Sequence, residues 1–146
     1  MRAHAARQPF ASYETRVGRR LAGLSDPTGR VLSAHDRLAS IEQHLLLRTV
    51  RERQWPISTS AAEYIDDLRR AIAHPAARVF TYRFRGESYA GFLAPNDITP
   101  PTEGREPYVF VAYSATYGVL RTGYQARSLD DALRGDDFEN LTEHSP

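Results

Sequence analysis

The side chains in this sequence best suited to chemistry on a phosphate are His35, His44, Arg48, Arg51, Arg121, Thr122 and Tyr124. A histidine near neutrality gives or takes a proton, an arginine presents a planar fork to phosphate oxygens, and Thr and Tyr hydroxyls donate to phosphate or read a base. These are the parts needed to cleave RNA through its own 2′-hydroxyl without a metal. A base removes that proton, an acid protonates the leaving 5′-oxygen, and donors surround the pentacoordinate phosphorus. Spacing brings some of them together. On a strand, alternation puts Leu120, Thr122, Tyr124 and Ala126 on one face and Val119, Arg121 and Gln125 on the other. Gly123, between Thr122 and Tyr124, lets a ligand or another backbone come close. His44, Arg48 and Arg51 follow an i, i+4, i+7 spacing and share a helix face. His35 stands 13 residues before Arg48, about 220° away on one continuous helix, so the two converge only if the helix breaks between them. Each residue also has a plain structural reading: Thr122 and Tyr124 as half-buried strand residues, His35 as a capping or solvated side chain, Arg48 as a surface ion-pair partner.

Other chemistries find less support. The histidines at 4, 35, 44, 74 and 144 form no recognised ligand spacing, and HExxH, GxSxG, Walker and GxGxxG motifs are absent. No metal and no cofactor is expected. The chain has no cysteine, which excludes disulfides and thiol catalysis. All 19 basic residues are Arg. Residues 1–56 carry a net charge of +5, residues 57–127 of +1 and residues 128–146 of −5. A basic front suits a phosphate-binding surface, with an acidic appendage set apart from it.

The elements that must position these groups follow from the pattern. A length of 146 residues with 41% apolar and 25% charged residues fits one domain, with neither a membrane span nor a signal peptide. Residues 1–30 form a basic lead-in without sustained periodicity. Ser33-x-x-Asp36 and Ser40-x-x-Gln43 read as two helix starts, giving a short helix with His35, a break near Ser40, and a longer helix from Ile41 to about Arg53. Trp55-Pro56-Ile57 is a connection. Ser60-x-x-Glu63 caps a helix with apolar positions Ala61, Tyr64, Ile65, Leu68, Ala71 and Ile72, closed by Pro75. Arg78–Phe84 and Ser88–Leu93 read as a hairpin around Arg85-Gly86-Glu87. A Pro-rich loop from Ala94 to Glu106 is long enough to bind something, and Pro107–Tyr113 and Tyr117–Ala126 are two further strands. Ser128–Arg134 allows a helical turn, and residues 135–146 are expected to be partly disordered. The fold class is α+β: N-terminal helices packed on a curved antiparallel sheet of about four strands.

The order of these pieces resembles a known family. His35, Leu45-Leu46-Leu47-Arg48, Ser58-Thr59-Ser60-Ala61-Ala62-Glu63 and Val119-Leu120-Arg121-Thr122-Gly123-Tyr124 look like the cysteine-free RNase A-like toxin domain at the C-termini of bacterial CdiA contact-dependent growth inhibition proteins. The resemblance covers about residues 30–126, so that residues 31–127 form the ribonuclease-like domain and 128–146 an acidic tail. It implies metal-independent RNA cleavage, neutralisation by a cognate immunity protein, and bacterial origin within a secreted effector acting in the target-cell cytoplasm; 2′-hydroxyl attack would leave a 2′,3′-cyclic phosphate, and a monomer is expected. By position it implies catalytic roles for His35, Arg48, Thr122 and Tyr124; Arg51 and Arg121 are expected against substrate as further arginines near them. The family's His-Val-Gly is His35-Asp36-Arg37 here, which keeps His44 as the alternative catalytic histidine.

Two other readings stand beside this one. A non-catalytic protein-binding or immunity-type module would use a Tyr-rich sheet face of Tyr82, Tyr89, Tyr108, Tyr113, Tyr117 and Tyr124, and a nucleic-acid binder would hold RNA without cutting it. The acidic tail suggests a further expectation: folded over the basic cleft it would mimic phosphate, and its removal would raise activity.

Overall fold

The structure is a computed structural model that describes residue 41 and residues 43–144. The lead-in 1–30, the helix start at Ser33 and His35 lie outside the described residues. Residues 43–46 are α-helical, and the chain then widens into a π-helical turn, Leu47–Arg51, closed by Glu52 N–H donating to the Leu47 carbonyl at 2.9 Å. The expected helix therefore ends two residues early and in a wider winding. Helix α1 (Ala61–Ala73) begins where the capping box predicts: Glu63 N–H donates to Ser60 Oγ at 3.1 Å, and Ser60 N–H donates to Glu63 Oε1 at 3.0 Å. Satisfying two orphan donors at the first turn fixes the start, and Tyr64, Leu68, Ala71 and Ile72 form its buried stripe.

Five antiparallel strands follow: β1 (Arg78–Phe84), β2 (Glu87–Pro95), β3 (Tyr108–Ser114), β4 (Val119–Ala126) and β5 (Phe138–His144), in the spatial order β4-β3-β2-β1-β5. A short helix α2 (Leu129–Ala132) lies between β4 and β5, capped by Ser128. The β1–β2 hairpin turns on Arg85 and Gly86, both at positive φ (49° and 82°), the two-residue geometry that matches strand twist.

The fold is α+β, but the sheet has five strands rather than four, and the expected disordered tail supplies the fifth. Its invisibility in the sequence has a physical cause. From Glu139 to His144 every residue is exposed, so no burial alternation marks the strand. Main-chain pairing with β1 and cross-strand polar contacts hold it instead. Arg78 forks onto Glu143 at 2.9 and 2.8 Å, Arg85 meets Asp137 at 2.9 Å, and Thr81 meets His144 at 2.7 Å.

The sheet is packed on both faces. On one side α1, Trp55 and Ile41 cover Phe92, Val109 and Val111. On the other, Phe80, Tyr82, Tyr89 and Phe110 pack with Ala132, and Phe138 and Leu129 lie against them. The C-terminal segment thus covers part of the sheet face that α1 leaves free. The 96–107 loop serves as a brace: Asn96 Nδ2 and Glu106 N–H donate to Gln125 Oε1, and Gly104 N–H donates to the Arg53 carbonyl at 3.0 Å. Among the described residues no helix is long and apolar enough to cross a membrane.

Candidate functional site

Strand β4 carries one residue more than its partner. Ala112 pairs with Thr122 while the next residue, Tyr113, pairs with Leu120, so Arg121 is the extra residue of a β-bulge. A bulge breaks the two-residue alternation and re-aims the side chains on either side of it. This overturns the expected faces of Leu120 and Arg121 and leaves Thr122 and Tyr124 together on one face, as expected. Leu120 packs with the α1-side core, whereas Arg121, Thr122 and Tyr124 line one cavity on the opposite side. Gly123 faces α1, where a Cβ would lie 2.2 Å from Leu68 Cδ2. The close approach anticipated at this glycine is made by Leu68.

The Gly123 carbonyl anchors the site. It accepts from Arg48 Nε at 2.8 Å and from the Tyr64 hydroxyl at 2.5 Å, and the same hydroxyl accepts from Gly123 N–H at 3.0 Å. Arg48 is buried (8% exposed) although charged. Its other donors are spread, Nη1 to Glu52 at 2.7 Å and Nη2 to Thr122 Oγ1 at 3.1 Å, and its guanidinium carbon lies 5.1 Å from the Tyr124 ring centre. A buried arginine so held is pre-oriented, because the fork loses no further freedom when it meets an anion. The π-helical turn contributes to this placement. Its wider winding leaves Arg51 exposed, and Arg51 lines neither cavity described below. Beyond Arg48, Gln54 continues along the outer edge of β4: Gln125 N–H donates to Gln54 Oε1 at 2.8 Å and Gln54 Nε2 donates to the Gln125 carbonyl at 3.1 Å. Side chains thereby satisfy what would be a bare strand edge.

Tyr124 separates two cavities. The first, about 360 Å³, is lined by His44, Arg121, Thr122 and Tyr124 together with an aromatic group, Tyr82, Phe84, Tyr89 and Phe138. The second, about 380 Å³ and far more polar, holds Arg48, Arg127 and Arg134 against Glu52 and Asp131. His44 Nδ1 is buried and has no hydrogen-bond partner among the described residues. Burial, followed by the positive charges of Arg48 and Arg121, lowers the His44 pKa to about 4, so the imidazole is neutral at pH 7. Burial also pushes Tyr124 up to about 12, with Arg48 pulling the other way. Its hydroxyl donates to the Ala132 carbonyl at 2.5 Å. Tyr89 is likewise pushed up to about 12 by burial and by Glu87. At neutral pH the tyrosines of the site therefore keep their hydroxyl protons, and the His44 imidazole is uncharged.

Of the sequence candidates, Arg48, Thr122 and Tyr124 meet directly, and His44 and Arg121 share the aromatic cavity with Thr122 and Tyr124. His144, on β5, contacts Thr81 and not this site. Three further participants carry little signal in the sequence. Glu52 stands four residues after Arg48, a spacing that signals an ion pair. Tyr64 reads as a core residue, and nothing local reveals that its hydroxyl reaches Gly123, 59 positions away. Glu87 reads as a turn residue, yet it pairs with Arg121 at 3.1 Å and accepts from Ser114 Oγ at 3.1 Å. No group of three or more His, Asp or Glu arranged to hold a metal ion occurs among the described residues. No protein-family model, curated protein or solved structure matches the chain.

Proposed function

We propose that this domain is an RNase A-like, metal-independent endoribonuclease toxin that cleaves RNA by 2′-hydroxyl attack and leaves a 2′,3′-cyclic phosphate. The observation that carries this reading is the hydrogen-bonded Arg48–Thr122 pair, held on the Gly123 carbonyl beside a neutral histidine, His44. In this scheme neutral His44 takes the 2′-hydroxyl proton as the 2′-oxygen bonds to phosphorus, and the imidazolium so formed gives that proton to the leaving 5′-oxygen as its bond to phosphorus breaks. Arg48 and the Thr122 hydroxyl stabilise the charge that builds on the phosphorane oxygens, while Arg121 draws the phosphate in. The Tyr124 ring supports the Arg48 guanidinium from below. The family resemblance extends the proposal to delivery within a secreted bacterial effector, action in the target-cell cytoplasm and neutralisation by a cognate immunity protein.

The protein-binding alternative needs its tyrosines at the surface. Tyr82, Tyr89 and Tyr113 are 4%, 8% and 8% exposed, which favours the enzymatic reading. The test is incubation of the purified chain with total RNA in excess EDTA. Cleavage with cyclic-phosphate ends is expected, abolished by His44→Ala with the fold intact. Intact RNA at high protein concentration, or cleavage that needs added metal, refutes the proposal. If activity survives His44→Ala and is lost on His35→Ala, the base is His35.

A further inference from the structure

The aromatic cavity beside Thr122 is larger than proton transfer requires. Tyr82 and Tyr89 stack there with ring centres 5.5 Å apart and planes 4° from parallel, and Phe84 and Phe138 lie 4.8 Å apart. At about 360 Å³ the space sits at the small end of ligand pockets, which suits one flat ring system better than a peptide segment. Its walls are mainly apolar, while charged groups stand at the margin. Arg85 lies over the Phe84 ring at 4.9 Å, Arg121 lies over Tyr117 at 5.3 Å, and Glu87 offers a carboxylate acceptor. Apolar rings that accept a base face, cations nearby for the backbone, and an acceptor for base N–H groups are the features by which single-stranded nucleic acid is held.

We propose that this cavity is a nucleobase slot, in which one base of the RNA strand stacks on the Phe84–Phe138 wall while its phosphate lies toward Arg121. The inference rests on the ribonuclease reading for its substrate and adds where the base is held. It also gives the C-terminal strand a role, since β5 contributes Phe138 to the wall. Asp137 and Glu143 engage Arg85 and Arg78 along the sheet edge. On this reading the acidic segment builds the substrate site and does not block it.

The experiment titrates the full chain separately with AMP, GMP, CMP and UMP, with ribose 5-phosphate as control, following the aromatic ring resonances by NMR. At least one nucleotide should shift the rings of Phe84, Tyr89 and Phe138, and ribose 5-phosphate should not. Phe138→Ala should weaken that nucleotide roughly 5- to 150-fold, the range expected for one base–aromatic stack, and Phe138→Trp should restore it. Should Phe138→Ala unfold, Phe84→Leu keeps the apolar bulk and removes a ring, with the same loss expected. Ring resonances unmoved at millimolar nucleotide, equal binding of ribose 5-phosphate, or unchanged affinity in the folded variant would each overturn the slot. Binding requires no turnover, so the two proposals fail separately. Nucleotide held by a protein that leaves RNA intact removes the ribonuclease, whereas RNA cut with the slot empty removes the slot.

Discussion

Replacing Gly123 by Ala probes the contact on which the site depends. Gly123 does not have a positive φ, so its backbone accepts alanine and the penalty is steric. The new methyl would fall 2.2 Å from Leu68 Cδ2 and 3.0 Å from Cδ1, and Leu68 is fully buried. Either Leu68 leaves its rotamer or β4 moves off α1. Overpacking of this kind costs about 1–3 kcal/mol, less a few tenths regained from the lower entropy of the unfolded chain. In a domain of this size that lowers Tm by about 3–10 °C. If β4 moves, the Gly123 carbonyl moves with it, and Arg48 and Tyr64 lose their common acceptor, so RNA cleavage should fall more than stability alone explains. Urea melts of Gly123→Ala, Leu68→Ala and the double variant give the decisive number. Leu68→Ala alone should cost about 2–5 kcal/mol. In the double variant the methyl added at position 123 enters the space that Leu68 vacates, so the summed cost should fall short of additivity by about 1–3 kcal/mol. Strict additivity, or a Gly123→Ala protein as stable as the parent, refutes the packing account.

Four other outcomes follow from the same geometry. Arg48→Lys keeps the charge but cannot reach Gly123, Glu52 and Thr122 together, so cleavage should drop roughly 100-fold or more while far-UV circular dichroism is retained. Tyr124→Phe removes only the bond to Ala132, and with the ring still beneath Arg48 it should cost about 0.5–1.5 kcal/mol in denaturant melts and leave cleavage within tenfold; complete inactivation would make the hydroxyl the acid. Unfolded His44 binds a proton below about 6.5 and folded His44 only below about 4, so the unfolded state holds more protons in that window and stability should fall as pH drops from 6.5 to 4. His44→Gln should flatten that slope, and Arg121→Gln, which removes a neighbouring positive charge, should move the acidic limb of kcat/KM upward from pH 4. Deleting residues 135–146 should destabilise the protein by about 1–3 kcal/mol through loss of β5 and Phe138 and weaken nucleotide binding, as read by melts and titration; a more active truncated protein would restore the tail as an inhibitor.

Where local physics is strong, sequence and structure agree closely. The Ser60–Glu63 capping box sets the start of α1, and the Arg85-Gly86 turn sets the β1–β2 register, because both are short-range arrangements whose partners lie within four residues. Thr122 and Tyr124 share one face as alternation predicts, two positions apart with no irregularity between them. Arg121 departs from its expected face because a bulge is set by the strand opposite, and β4 alone does not encode the extra residue. Strand β5 is hidden for the complementary reason. Its stabilising partners, Arg78 and Arg85, are more than fifty positions earlier, and an exposed edge strand has no hydrophobic period.

The sequence by itself determined the class of fold, the order of the elements from α1 to α2 and the residue types able to handle a phosphate, since these rest on periodicity, capping and side-chain chemistry. Tertiary structure alone decided which of those residues meet. The buried Arg48 is fixed by a carbonyl 75 positions away, and His44 is kept uncharged through burial and two arginines drawn from different elements. Such contacts depend on how α1 seats against β4 and on where the bulge falls. Both are properties of packing between distant segments, which no stretch of the chain carries alone.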